Sequence, residues 1–160
     1  SFGLSAALGI SREEATAFID SYFERYSGVA AFMEATLDEC KETGFAKTIL
    51  GRRRAITGIR PKRKGQLNMP ERTAVNTVIQ GSAADLIKTA MINIHRTLKA
   101  ENHPANMLLQ IHDELVFETP GSEAESLKEL VKTGMETAFT LDVPLTVDIA
   151  IGDNWLDAKS

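Results

Sequence analysis

The chain reads as an α+β protein, helices first and a small antiparallel sheet after them. Three observations predict this. Apolar residues recur at helical spacing from about Ser11 to Lys41, and helical periodicity returns from Pro70 to about Ala100. Two short apolar runs, 106–111 and 115–118, flank His112-Asp113-Glu114. β-Branched residues then alternate between Val143 and Gly152. Helices followed by strand, turn, strand, helix and strand suit α+β rather than an alternating α/β layout.

Ser11 is the expected N-cap of the first helix, and Glu14 completes a capping box. Ala15, Phe18, Ile19, Tyr22 and Phe23 form its apolar face, and Ser27-Gly28 ends it. A second helix, Val29 to Lys41, turns Phe32, Met33, Thr36 and Leu37 inward and closes at Gly44. Phe45 to Leu50 and Arg53 to Thr57 form a short hairpin around Gly51. Residues 58–68 are a polar loop. Pro70 suits the first turn of a third helix, in which Gly81 marks an expected bend. Asn106–Ile111 and Leu115–Glu118 are expected strands. Ser122 is the expected cap of a helix reaching Phe139, with Leu127, Leu130, Val131 and Met135 as its apolar face. Val143 to Gly152 is the expected third strand, placed at an edge by Pro144. Trp155 is an expected core anchor.

Composition narrows the function classes. A length of 160 residues is that of one ordinary domain, and a single cysteine excludes a disulfide framework or a multi-cysteine zinc site. Three scattered histidines argue against a histidine-rich metal centre. There is no apolar run of about 18 residues and no N-terminal signal, so a cytoplasmic, non-membrane setting is expected. The first residue is Ser1 rather than methionine, which suggests a piece of a longer protein.

The net charge of −4 hides a split. Lys41 to Arg72 carries ten basic and two acidic residues, or +8, and the remainder carries −12. The centre of this block is Arg52-Arg53-Arg54, followed by Arg60, Lys62, Arg63 and Lys64. Clustered guanidinium and ammonium groups are the footprint of phosphate contact; the plain alternative is a solvated loop.

Two constellations could carry chemistry. Asp113 and Glu114 are adjacent, and a strand would point them to opposite faces. A tight turn can instead present both at a sheet tip, where hard oxygen donors suit Mg²⁺. Arg72, Asn76 and Gln80 fall at i, i+4 and i+8, making one polar stripe on a helix. These are side chains that read base edges or phosphates, unless the stripe is an ordinary exposed face.

These stretches together resemble the C-terminal part of a family A DNA polymerase of the bacterial polymerase I type. Carrying the likeness are Leu8-Gly9-Ile10-Ser11, Tyr22-Phe23-Glu24-Arg25-Tyr26, Thr48-Ile49-Leu50-Gly51-Arg52-Arg53-Arg54, Glu71-Arg72 with Ala74 and Asn76, Gln80-Gly81-Ser82-Ala83-Ala84-Asp85, Gln110-Ile111-His112-Asp113-Glu114 and Gly152-Asp153-Asn154-Trp155. The resemblance implies a fingers-like region over 1–68 with the basic hairpin. It implies a palm-like region over 69–160, whose sheet carries the His-Asp-Glu turn. It also implies that Asp113 is a metal-binding catalytic aspartate and Glu114 its supporting neighbour. His112 would lie near the primer terminus, and Asn76 and Gln80 in the minor groove of the nascent pair. Arg72 would hold the backbone of the growing duplex. Two Mg²⁺ ions, primer-template DNA and deoxynucleoside triphosphates are the implied cofactor and partners, for a monomeric enzyme of the bacterial nucleoid.

The family's other catalytic aspartate, in an Asp-Tyr-Ser motif, and its nucleotide-binding fingers helix have no counterpart in these 160 residues. Primer extension by this chain alone is therefore not expected. Two other readings remain at this point: a non-catalytic nucleic-acid-binding half of a split polymerase, and a metal-dependent nuclease. The nuclease would need more carboxylates, and only Glu118 shares a strand face with Glu114.

Overall fold

The computed structural model describes residues 2–60 and 67–158, in two compact units, Ser1–Gly81 and Ser82–Ser160. The first holds helices α1 (Phe2–Leu8), α2 (Arg12–Arg25) and α3 (Ser27–Thr43), strands β1 (Phe45–Lys47) and β2 (Arg53–Ala55), and the first turns of α4 (Met69–Ala100). The expected capping box starts α2: the Ser11 hydroxyl accepts the Glu14 N–H at 3.1 Å, and the Glu14 carboxylate accepts the Ser11 N–H at 2.9 Å. Helix α3 ends at Gly44, whose φ of 77° only glycine adopts at little cost.

The core of this unit joins Leu37 and Cys40 of α3, Ala46 of β1, Ile56 just after β2, and Ala74 of α4. Its hairpin is antiparallel, with Ala46 opposite Arg54. The aromatic face expected to bury α2 does not do so. Only Ala15 is buried there, while Phe18 is 60% exposed. The packed part of α3 is its C-terminal half, Thr36 to Cys40, and Phe32 is left exposed. Burial pushes the Cys40 thiol up and its Sγ donates to the Phe45 carbonyl, so this cysteine is a packing residue rather than a nucleophile.

The second unit packs Ala90, Ile94 and Leu98 of α4 against Ala105 and against Leu127 and Val131 of α5 (Ala124–Glu136). Strands β3 (Asn106–Ile111) and β4 (Glu114–Glu118) cover this core with Met107, Leu115 and Phe117. Gly134 permits the close contact, since a Cβ there would lie 2.5 Å from Ile94 Cγ1. A last short helix, α6, spans Trp155–Ala158.

Three expectations need correction in this unit. Residues 143–152 form no strand: they pair with no ladder, and the Val147 N–H donates instead to the Glu136 carboxylate at 3.0 Å. Alternating apolar residues make a strand only beside another strand's free N–H and C=O groups. Ser122 does not cap α5; it sits in a 3₁₀ turn, Gly121–Glu123, that leads into the helix. Trp155 is 44% exposed rather than a core anchor. Among the described residues no helix is long and apolar enough to cross a membrane.

The start of α4 is held by a buried charge. Glu71 is fully buried and accepts from Arg60 Nε at 2.9 Å, Arg60 Nη2 at 2.5 Å and the Asn68 N–H at 2.9 Å. Asn68 Oδ1 accepts the Glu71 N–H in return, and Asn68 Nδ2 donates to the Gly58 carbonyl. One carboxylate thus joins the helix cap to the chain at 58–60. The Arg60 guanidinium, with help from the backbone donors, holds the Glu71 carboxyl at about 2, against an ordinary 4.5. A carboxyl lowered on folding stabilises fully above about pH 4.5 and loses that stabilisation as pH falls toward 2. Glu71→Gln should therefore cost about 3 kcal/mol at pH 7, and the difference from the parent should shrink between pH 4.5 and 2. Urea melts across that range measure it; a difference independent of pH would contradict the role of the charge.

Candidate nucleic-acid interface

The basic hairpin and the polar stripe meet. At the end of β1 the chain reverses through Thr48-Ile49-Leu50-Gly51, closed by the Gly51 N–H donating to the Thr48 carbonyl at 2.9 Å. Gly51 has a φ of 82°, a conformation that disfavours other residues. Arg52, Arg53 and Arg54 follow directly, all exposed. The Arg53 guanidinium lies 5.3 Å from the Phe45 ring centroid, which orients it without neutralising it. Arg54 Nη1 donates to the Thr77 hydroxyl of α4 at 3.4 Å.

On α4, Thr73, Asn76, Thr77 and Gln80 recur at helical spacing and share a face. Between this face and the three arginines lies an open cleft of about 520 Å³. One wall is guanidinium, the other is carboxamide and hydroxyl, and Thr48 and Gly81 also line it. Among the described residues no carboxylate lines the cleft. Arginine forks match phosphate oxygens in bidentate fashion, and carboxamides both donate and accept. The chemistry suits a ligand with a polyanionic edge and a hydrogen-bonding edge, as a nucleic acid presents.

Arg72 lies one turn before Asn76, exposed, and does not line the cleft. Lys62, Arg63 and Lys64 lie outside the described residues. Sequence reasoning missed Thr48, Thr73, Thr77 and Gly81. Thr73 and Thr77 had a signal, since they flank the Arg72–Asn76–Gln80 stripe at the same four-residue spacing. Thr48 stands in the Thr48–Arg54 stretch that carries the resemblance, but only tertiary contact brings it to α4. Gly81 marks no bend, since α4 runs unbroken through it.

His112, Asp113 and Glu114 belong to the second unit. Pairing of Ile111 with Glu114 leaves His112 and Asp113 between the strands, and all three residues are exposed. His112 takes a φ of 53°, uncommon for a residue other than glycine, and Gln110 Nε2 donates to its carbonyl at 2.5 Å. Asp113 and Glu114 offer hard oxygen donors suited to a divalent cation. They are two carboxylates only: among the described residues no group of three or more His, Cys, Asp or Glu side chains is placed to hold a metal ion.

Residues 1–157 match the sequence model of DNA polymerase family A. The chain is 51% identical to DNA polymerase I of Bacillus subtilis (strain 168) over 158 residues, covering 99% of this chain and 18% of that protein. It is 45% identical to the thermostable DNA polymerase I of Thermus filiformis over 156 residues, again 18% of the relative. In structure it is similar to the POL domain of Pol1 from M. smegmatis in complex with DNA primer-template and dNTP. The TM-score is 0.88 at 39% identity, covering 99% of this chain and 28% of that one. The chain thus spans less than a fifth of the curated relatives' length.

Proposed function

The chain belongs to DNA polymerase family A, and from that premise we propose that it is the C-terminal fingers and palm portion, 1–68 and 69–160, of a template-directed DNA polymerase. The cleft between Arg52-Arg53-Arg54 and the Asn76–Gln80 face carries this reading. The three exposed guanidiniums grip backbone phosphates of primer-template DNA without regard to sequence. Asn76 and Gln80 face minor-groove acceptors, which look alike on every correct pair, so they sense pair geometry rather than identity. Arg72 extends the backbone contact along α4.

The reaction proposed is nucleotidyl transfer from a deoxynucleoside triphosphate. The primer 3′-oxygen bonds to the α-phosphorus while the bond to the pyrophosphate oxygen breaks. Asp113, with Glu114 in support, would hold Mg²⁺, and His112 stands beside them toward the primer end. Two bound Mg²⁺ ions in the complete enzyme would stabilise charge on the attacking and leaving oxygens. The second aspartate motif of the family is not among these 160 residues. The purified chain should therefore bind a primer-template duplex weakly yet extend no primer when given Mg²⁺ and all four nucleotides. Template-dependent extension by the chain alone would overturn this division of labour, and no duplex binding at all would overturn the role of the cleft.

A further inference from the structure

We propose that Thr48 is a positioning residue for the arginine cleft, and that position 81 is glycine so that the Thr48 methyl can seat against α4. The inference rests on the reading of the cleft as a phosphate-binding surface. Thr48 is 7% exposed, although it stands at the mouth of an exposed hairpin loop. Its backbone N–H donates to the Arg52 carbonyl at 2.9 Å, and its hydroxyl accepts the Arg52 N–H at 3.0 Å. Its methyl faces the helix: a Cβ at residue 81 would lie 2.6 Å from Thr48 Cγ2. The residue that aims the backbone at Arg52 is thus the residue on which the hairpin rests against α4, next to Gln80.

A methyl group at position 81 has two ways out, and both alter the cleft. Rotating Thr48 about χ1 removes the methyl from the clash but also takes the hydroxyl away from the Arg52 N–H. Keeping the rotamer pushes the hairpin, with its three arginines, off the helix face. In a helix interior Gly→Ala is ordinarily favourable, so helix propensity alone predicts the opposite effect.

The test uses four forms of the chain: parent, Gly81→Ala, Thr48→Ser and the double variant. Thr48→Ser removes the methyl and keeps the hydroxyl. The probe is a 20-base-pair primer-template duplex, with affinity measured at several salt concentrations. Gly81→Ala should bind about tenfold more weakly, the worth of one charge-assisted contact, and its log K against log salt line should flatten by about one unit. Measured against Thr48→Ser, the double variant should lose neither affinity nor slope, because the methyl that a residue-81 Cβ would strike is gone. A merely structural glycine would change the melting temperature and leave the slope alone. Parental binding by Gly81→Ala, or failure of Thr48→Ser to rescue it, would overturn the proposal. So would unfolding of both Gly81→Ala and the double variant, because the clash would then not be with the Thr48 methyl. If Arg52, Arg53 and Arg54 can all be removed without effect, the cleft reading itself fails, which is a separate result.

Discussion

In a polymerase that carries this segment, Asp113→Ala should lower the rate of nucleotide addition by roughly a thousandfold or more, with Glu114→Ala costing far less. Losing a carboxylate that positions a catalytic metal removes transition-state stabilisation of several kcal/mol, and each 1.4 kcal/mol is about tenfold in rate. The two residues differ in position. Asp113 lies between the strands, whereas Glu114 opens β4 and is paired with Ile111. Duplex affinity should survive Asp113→Ala, since the substitution removes a negative charge and no phosphate contact. Single-turnover rates and duplex dissociation constants, measured on the same preparations, separate the two effects. Equal and mild losses for both variants would favour a DNA-binding half that leaves catalysis elsewhere.

Replacing Arg52, Arg53 and Arg54 together with Ala should flatten the salt dependence of duplex binding by up to about three units. Each neutralised phosphate contributes about 0.9 to the slope of log K against log salt. The residues outside Lys41–Arg72 carry −12 and would repel DNA, so little other attraction replaces the arginines. Mutating Lys128 and Lys132 on α5 should leave the slope unchanged, which controls for a general loss of positive charge. Gln80→Ala should also leave the slope alone, because a carboxamide displaces no counterion. In a polymerase that carries this segment it should change extension of mismatched ends more than of matched ones. An unchanged slope in the triple-arginine variant would return the hairpin to a solvated surface loop.

Local rules were the legible part of this chain. The Ser11–Glu14 capping box, the Gly44 helix end, the Gly51 reversal and the Asn106–Glu118 hairpin each depend on residues within a few positions of one another. Their physics is complete inside a short window, and the spacing of residues shows it. The polar side of the cleft was legible for the same reason, since Asn76 and Gln80 are one helical turn apart. What failed depended on a partner at long range. The 143–152 segment has the alternation of a strand and no ladder, and the aromatic residues of α2 have the spacing of a core face that stays exposed.

Sequence by itself determined which residue types this protein holds at each turn of helix and strand, and hence the arginine run, the carboxamide stripe and the paired carboxylates. Tertiary structure alone decided that Arg52-Arg53-Arg54 face Asn76 and Gln80 across one cleft, that Glu71 is a buried clasp for Arg60, and that Gly81 makes room for Thr48 rather than a bend. The physical reason is range. Caps and turns are settled by hydrogen bonds between near neighbours, whereas burial and close approach depend on where distant segments pack, and no periodicity within a segment encodes its partner.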